Sequence, residues 1–215
     1  DMIGNIAHQW RHPLTRLSLT LQNLKAFKNK DKMSDKIFDD AMENSLYQIE
    51  FMSNTIDNFK NFYKKDEKQS LFIVREAIDN VLNIIGSVLE HSSIKLSIKD
   101  EDEVEIFANK NEFSQVLMNL MINAKDQIDS KNIQDPKLNI TVSKSSDKVK
   151  IEVEDNAGGV PSNIIKNIFN PYFTTKQDKG TGIGLYLSKA IIEEKLNGTL
   201  SIKNSKNGAI FTIIL

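Results

Sequence analysis

The chain is predicted to be an α+β protein: an N-terminal two-helix hairpin that dimerises into a four-helix bundle, followed by an α/β sandwich with helices on one face of a mixed sheet. Three observations predict this. Residues 1–65 hold one proline, Pro13, and one glycine, Gly4. Their apolar positions Ile3, Ala7, Trp10, Leu14, Leu17, Leu21 and Leu24 step alternately by four and three, a heptad seam. Beyond a polar break, "KNKDKMSDK" at 28–36, the same steps run through Phe38, Met42, Ser45, Ile49, Met52, Ile56 and Phe59. From about residue 69 strand and helix patterns interleave, and the strands come largely in hairpins.

Two helices of about 25–30 residues joined by a short polar turn form an antiparallel hairpin. A lone hairpin cannot cover both seams, so a second copy is expected to complete the bundle. The competing arrangement packs the hairpin on the second half of its own chain. "YKKDEKQS" (63–70) reads as the linker, giving units 1–65 and 66–215. "SLFIVREAIDNVLNII" is a strand end entering an amphipathic helix, and "IKLSIKD" (94–100) and "VEIFAN" (104–109) alternate as strands. A helix over 111–128 and a hairpin around a Ser-Ser-Asp turn follow. Next come a helix from about 183 to 196 and a closing hairpin that turns at Asn207–Gly208.

The composition narrows the function. With 40% hydrophobic and 27% charged residues the chain matches a globular average. A net charge of −1 argues against a nucleic-acid or anionic-membrane binder. The absence of cysteine excludes disulfides, thiolate catalysis and cysteine-zinc sites, and fits a reducing cytoplasm. No apolar run reaches the ~18 residues of a membrane span. Asp1 and Met2 already lie inside a helical pattern, so the chain is read as a piece of a longer protein.

Five short stretches exceed what packing requires. "IAHQWRHPL" (6–14) carries His8 and His12 on one helix face, suited either to clamping a metal or to supplying a nucleophile. Asn119 and Asn123, with Asp126 three residues on, form a polar stripe on an otherwise apolar helix. Asparagine is a poor helix-interior residue, and its carbonyl suits a hard cation such as Mg2+ shared with phosphates; ordinary solvent-facing positions are the plainer account. In "EDNAGGV" (154–160) an acid at a strand end precedes two glycines, which let backbone approach a ligand or simply make a turn. "IFNPYFTTK" (168–176) offers an aromatic anchor for the loop that follows, with ordinary packing the default account of its rings and Lys176 a candidate phosphate contact. In "DKGTGIGLYLSK" (178–189) three alternate glycines lead into a helix, a phosphate cradle that matches neither a P-loop nor a dinucleotide motif.

Taken in order, NLMINA, DNAGG, IFNPYFTTK and GTGIGL resemble the ATP-binding domain of sensor histidine kinases. That domain shares its nucleotide fold with gyrase, Hsp90 and MutL-type ATPases. "IAHQWRHPL" stands where the family carries its phosphoacceptor box, so the resemblance covers essentially the whole chain. It implies ATP with Mg2+ contacted by Asn123, with Asn119 one turn earlier; Asp126 joins the candidate binding residues by its place on the same stripe. Asp155 would recognise the adenine amine, with Gly159 giving room behind it. Gly180, Thr181, Gly182, Ile183, Gly184 and Leu185 would form lid and phosphate contacts. His8, five residues before Pro13, would be the phosphoacceptor, and a metal clamp with His12 recedes. The implied partners are a second copy of the hairpin, the receiver domain of a response regulator and a sensor region upstream; the piece itself would be cytoplasmic.

Four residues depart from the family pattern. Gln9 replaces the usual acidic base after the acceptor; it cannot take a proton but can orient the imidazole. His12 stands where Thr or Asn serves dephosphorylation, which leaves that activity open. Ala157 and Ala209 are small replacements for a glycine and a threonine. Two other functions compete: a water-hydrolysing ATPase clamp and a degenerate nucleotide-binding scaffold. The clamp would need a glutamate where Asn119 stands, and Gln9 and Ala157 keep the scaffold in play.

Overall fold

The computed structural model describes the backbone of residues 2–29, 34–63, 68–100, 103–175 and 182–215, with side chains over the same residues except 2–13, 29, 50, 51 and 54–63. The chain divides into two compact units, Asp1–Lys64 and Lys65–Leu215.

The first unit is two helices, α1 (Met2–Asn29) and α2 (Asp35–Tyr63). Ser34 starts α2: its hydroxyl accepts from the Ile37 N–H at 3.3 Å, while Asp35 in the first turn complements the helix dipole. Only part of each apolar seam is covered within one chain. Leu17, Leu24, Ile37, Ala41 and Met52 are half-buried, and Ser45 is buried with its hydroxyl donating to the Ala41 carbonyl at 2.7 Å. Leu14, Leu21, Phe38, Met42 and Ile49 stay exposed, Leu21 at 53%.

The second unit runs β1 (Ser70–Ile73), α3 (Val74–His91), β2 (Lys95–Asp100), β3 (Glu105–Ala108), α4 (Lys110–Ser130), β4 (Lys137–Ser145), β5 (Lys148–Asp155), α5 (Gly184–Ala190), a π-helical turn over Ile191–Lys195, β6 (Thr199–Asn204) and β7 (Ala209–Ile214). Five strands make one sheet in the order β2-β4-β5-β7-β6, with β2 parallel to β4 and every other pairing antiparallel. Alternation along β4 and β5 sends Leu138, Ile140, Val142, Ile151 and Val153 to the core. The opposite face carries Thr141, Glu152 and Thr212 in one register line, with Lys150 and Lys203 flanking Glu152. The apolar faces of α3 and α4 (Ile78, Val81 and Ile85; Phe113, Leu117, Leu120 and Met121) join the inward side chains of the sheet in the core. The expected mixed sheet with helices on one face is therefore present.

Two features differ in detail from the sequence reading. β1 and β3 stand apart from the sheet as a two-stranded antiparallel ribbon, because each runs almost directly into a helix and pairs with the other. The helix expected over 183–196 stays α-helical only to Ala190, then widens into the π turn, where the consecutive Ile191 and Ile192 are both buried. Lys195 in that turn pairs with Glu112 in the first turn of α4, whose N-cap Asn109 accepts from the Asn111 and Glu112 N–H groups.

The β6–β7 turn is closed tightly against β5. A Cβ on Gly208 would overlap the Asp155 carbonyl oxygen. Gly208→Ala is therefore expected to cost about 1–3 kcal/mol, read as a melting temperature lowered by about 2–10 °C in thermal unfolding.

Candidate functional site

Helix α4 lays out the site. Its N-cap and core-facing residues fix its rotation, which turns Asn119 and Asn123 away from the buried Phe113–Leu117–Leu120 stripe. Asn119 Nδ2 donates to Ser188 Oγ of α5 at 2.7 Å, and Asn123 Nδ2 lies 3.5 Å from Asn119 Oδ1. α5 can come this close because Gly184 faces Asn119: a Cβ there would be 2.5 Å from Asn119 Oδ1. Ser188 thus orients the Asn119 amide, which in turn directs the Asn123 amide nitrogen towards it. Asp126 lies on the same helix, half-buried, 3.7 Å from Lys125, which pairs more closely with Asp129.

Asp155, the last residue of β5, is buried to 6% exposure. Its Oδ1 accepts from the Ala157 N–H at 2.8 Å and the Ala209 N–H at 3.3 Å. Burial pushes its carboxyl above the usual range, and the two N–H groups and the Lys131 charge only partly oppose that shift. The loop that follows is held group by group. Lys131 Nζ reaches the carbonyls of Ala157 at 2.5 Å and Gly159 at 3.4 Å. The Gly158 N–H donates to the Asn207 carbonyl at 2.7 Å. Asn204 both donates to and accepts from the Val160 backbone at 2.8 Å. Gly159 takes φ +71° and presses on Asn204, which its missing Cβ permits.

The third wall begins at Gly182, with φ +64° and its Cα packed on the Tyr172 backbone; Tyr172, itself at φ +70°, donates its N–H to the Gly182 carbonyl at 2.7 Å. Ile183 is buried in the core, and Leu185 is half-buried in the first turn of α5. The aromatic stretch is an anchor, as expected: Phe169 meets Phe211 edge-on at 6.4 Å with the Lys189 ammonium 4.9 Å above its ring. The side chains of His8 and Gln9, and Lys176, Gly180 and Thr181 altogether, lie outside the described residues.

The structure thus brings together Asn119, Asn123 and Gly184, and separately Asp155 and Gly159. Asn123 lies within α4, and Lys131, eight positions on, is the residue at which that helix ends, so along the chain the two clusters are joined by about two helical turns. Among the described residues no group of three or more His, Cys, Asp or Glu side chains converges. On α4 the oxygens are the Asn119 and Asn123 amides with the Asp126 carboxylate three residues on, a sparse set that fits Mg2+ held jointly with a ligand's phosphates rather than a protein-only cage. No local sequence motif marks Lys131, Asn204 or Ser188, because each acts on a residue 26 to 69 positions away.

Residues 108–215 match the family described as the histidine kinase-, DNA gyrase B-, and HSP90-like ATPase. Over its full length the chain is 25% identical to the two-component sensor PprA of Pseudomonas aeruginosa and 28% identical to the signal transduction histidine-protein kinase AtoS of Escherichia coli. It spans 24% and 34% of those two proteins. The solved catalytic domain of histidine kinase ThkA superposes with a TM-score of 0.62 at 28% identity, covering 69% of this chain and 97% of that one. ThkA in complex with the response regulator protein TrrA covers all of this chain and 60% of that one, with a TM-score of 0.75 at 21% identity, a likeness of fold.

Because the folded-state pKa of Asp155 lies above its unfolded value, its contribution to stability is fully present below the unfolded pKa and is lost as pH rises through the folded one. At neutral pH the buried carboxylate therefore opposes folding. Asp155→Asn keeps an oxygen for the Ala157 and Ala209 N–H groups without the charge. It is expected to melt higher than the wild type at pH 7, with the gain shrinking towards pH 4, as followed by thermal unfolding across that range.

Proposed function

Because the chain belongs to the histidine kinase-, DNA gyrase B-, and HSP90-like ATPase family, we propose that it binds ATP with Mg2+ between α4, α5 and the Asp155 loop, phosphorylates its own His8, and passes the phosphoryl group to an aspartate of a response regulator. The observation that carries this reading is the layout of α4, which holds the Asn119–Asn123 pair at its middle and grips the Asp155 loop at its end. An extended nucleotide has a matching pair of ends, one anionic and one a planar base.

Each residue then has a role set by its chemistry. The buried Asp155 carboxylate accepts a hydrogen bond from the exocyclic amine of adenine, and Gly159 keeps the space behind the base open. The Asn123 carbonyl contacts the metal and Asn119 braces it. Gly182 and Gly184 let backbone approach the phosphates, with Gly180, Thr181 and Lys176 continuing that wall. When bound, Mg2+ neutralises phosphate charge and orients the triphosphate. A nitrogen of the neutral His8 imidazole attacks the γ-phosphorus, a P–N bond forms, the bond to the bridging oxygen breaks and ADP leaves. Gln9 orients the ring by hydrogen bonding. The phosphoryl group then moves from nitrogen to a carboxylate oxygen of the receiver domain and frees the histidine.

In this reading residues 1–65 are the dimerisation and phosphotransfer hairpin and 66–215 the catalytic domain. The exposed seam residues Leu14, Leu21, Phe38, Met42 and Ile49 support a homodimer, since a second hairpin would cover them. The sequence relatives, a two-component sensor and a signal transduction histidine-protein kinase, support the phosphotransfer, and the ThkA–TrrA complex supports a response regulator as partner. An ATPase clamp is disfavoured because Asn119, where that mechanism needs a carboxylate, cannot act as a base.

Incubation with γ-labelled ATP and Mg2+ tests the proposal. The wild type and His12→Ala are expected to take up acid-labile, alkali-stable label; His8→Ala is expected to take up none, and Asn123→Ala at least tenfold less. Label lost only in His12→Ala would move the acceptor, and steady phosphate release without label would point to the ATPase.

A further inference from the structure

The loop from Asp155 to Val160 is held by several separate contacts, and one of them comes from the C-terminal end of α4. Lys131 follows the last residue of α4, its N–H donating to the Gln127 carbonyl at 3.2 Å as the helix ends. Its ammonium reaches across to the Ala157 carbonyl at 2.5 Å and the Gly159 carbonyl at 3.4 Å, and lies 3.6 Å from where a Cβ of Gly158 would stand. The loop's other ties come from elsewhere. Asn204 at the end of β6 holds Val160, the β6–β7 turn holds Gly158 through the Asn207 carbonyl, and Asn156 is bound to the Asp135 carbonyl and the Lys137 N–H. Those contacts attach the loop to the sheet side. Lys131 attaches it to the helix that carries Asn119 and Asn123.

Resting on the nucleotide reading above, we propose that Lys131 is a positioning residue for purine recognition: by bridging the Ala157 and Gly159 carbonyls it holds the Asp155 loop at a fixed distance from the metal-binding face of α4. A cation is suited to this task, because two backbone carbonyls converging on one point need a donor with more than one hydrogen, and an ammonium offers three. A second consequence is electrostatic. The charged side chains acting on the Asp155 carboxylate are Lys131 at the end of α4, which favours its ionised form, and Glu154 of β5, which opposes it; the Ala157 and Ala209 N–H groups also favour ionisation. Lys131 thereby supports both the place and the charge of the acceptor that meets the base amine.

The test uses the whole 215-residue chain with Mg2+, and compares ADP with inosine diphosphate, which carries a carbonyl in place of the amine. Neither ligand can phosphorylate His8, so calorimetric titration reads binding alone. Lys131→Met keeps the length of the side chain and removes the ammonium; it is expected to weaken ADP about five- to tenfold and inosine diphosphate less than about twofold. Lys131→Arg, which restores a multidentate cation, is expected to return ADP to within about twofold of wild type. Unchanged ADP binding in Lys131→Met would overturn the proposal, as would equal weakening of both ligands, which marks a general loosening of the loop. A wild type that binds neither ligand would instead overturn the nucleotide reading itself.

Discussion

A single buried carboxylate oxygen holds the site together. Asp155 Oδ1 accepts one N–H from Ala157, two residues on, and one from Ala209, across the sheet at the start of β7. The first bond bends the chain out of β5, and the second locks that bend to the strand that closes the domain. Gly208 lies against the same residue closely enough that no Cβ fits. The arrangement keeps an ionisable group in a place that disfavours its charge, an energetic cost that packing alone does not require. Replacing it with a neutral side chain would give a more stable fold and remove the charged acceptor, the usual direction of a trade between stability and function.

The rest of the site follows from how that bend is joined to α4. The helix is pinned at its start by the Asn109 cap and the Glu112–Lys195 pair, and at its end by Lys131 on the loop. Between those points Asn119 faces α5, which approaches through Gly184 and is latched by Ser188, and Asn123, one turn on, donates to Asn119. Two independent contacts therefore set the separation of the two ends of the site. A ligand that spans both ends would meet Asn119, Asn123 and Asp155 each already held by its neighbours.

Local patterns predicted most elements well. The period-2 strands at 94–100 and 104–109, the helix over 111–128 and the turn at Asn207–Gly208 were all legible, because periodicity and turn chemistry are properties of neighbouring residues. The helices of the first unit are legible for the same reason, and among the described residues Leu14, Leu21, Phe38, Met42 and Ile49 of their seams stay exposed. Pairing between distant segments was not. Nothing in four-residue strands such as β1 and β3 says that they pair with each other, or that β2 lies parallel to β4. The π turn arises from packing that buries both Ile191 and Ile192, beyond what a helical pattern reveals. Among the site residues, Asn119, Asn123, Asp155 and Gly184 were marked by residue types that are costly or unusual where they stand. Lys131, Asn204 and Ser188 look like ordinary surface or helix residues until the fold places their partners beside them.

The most direct test of this account is the ionisation of Asp155 followed by carboxyl-carbon NMR as a function of pH, without nucleotide and with saturating ADP. A carboxyl that titrates above the usual aspartate range in the free chain, and moves downward when ADP supplies a donor, is the result expected from its burial and its proposed role. A carboxyl that titrates normally, or above the usual range but without response to ADP, would contradict the claim that this buried acid is the acceptor around which the site is built.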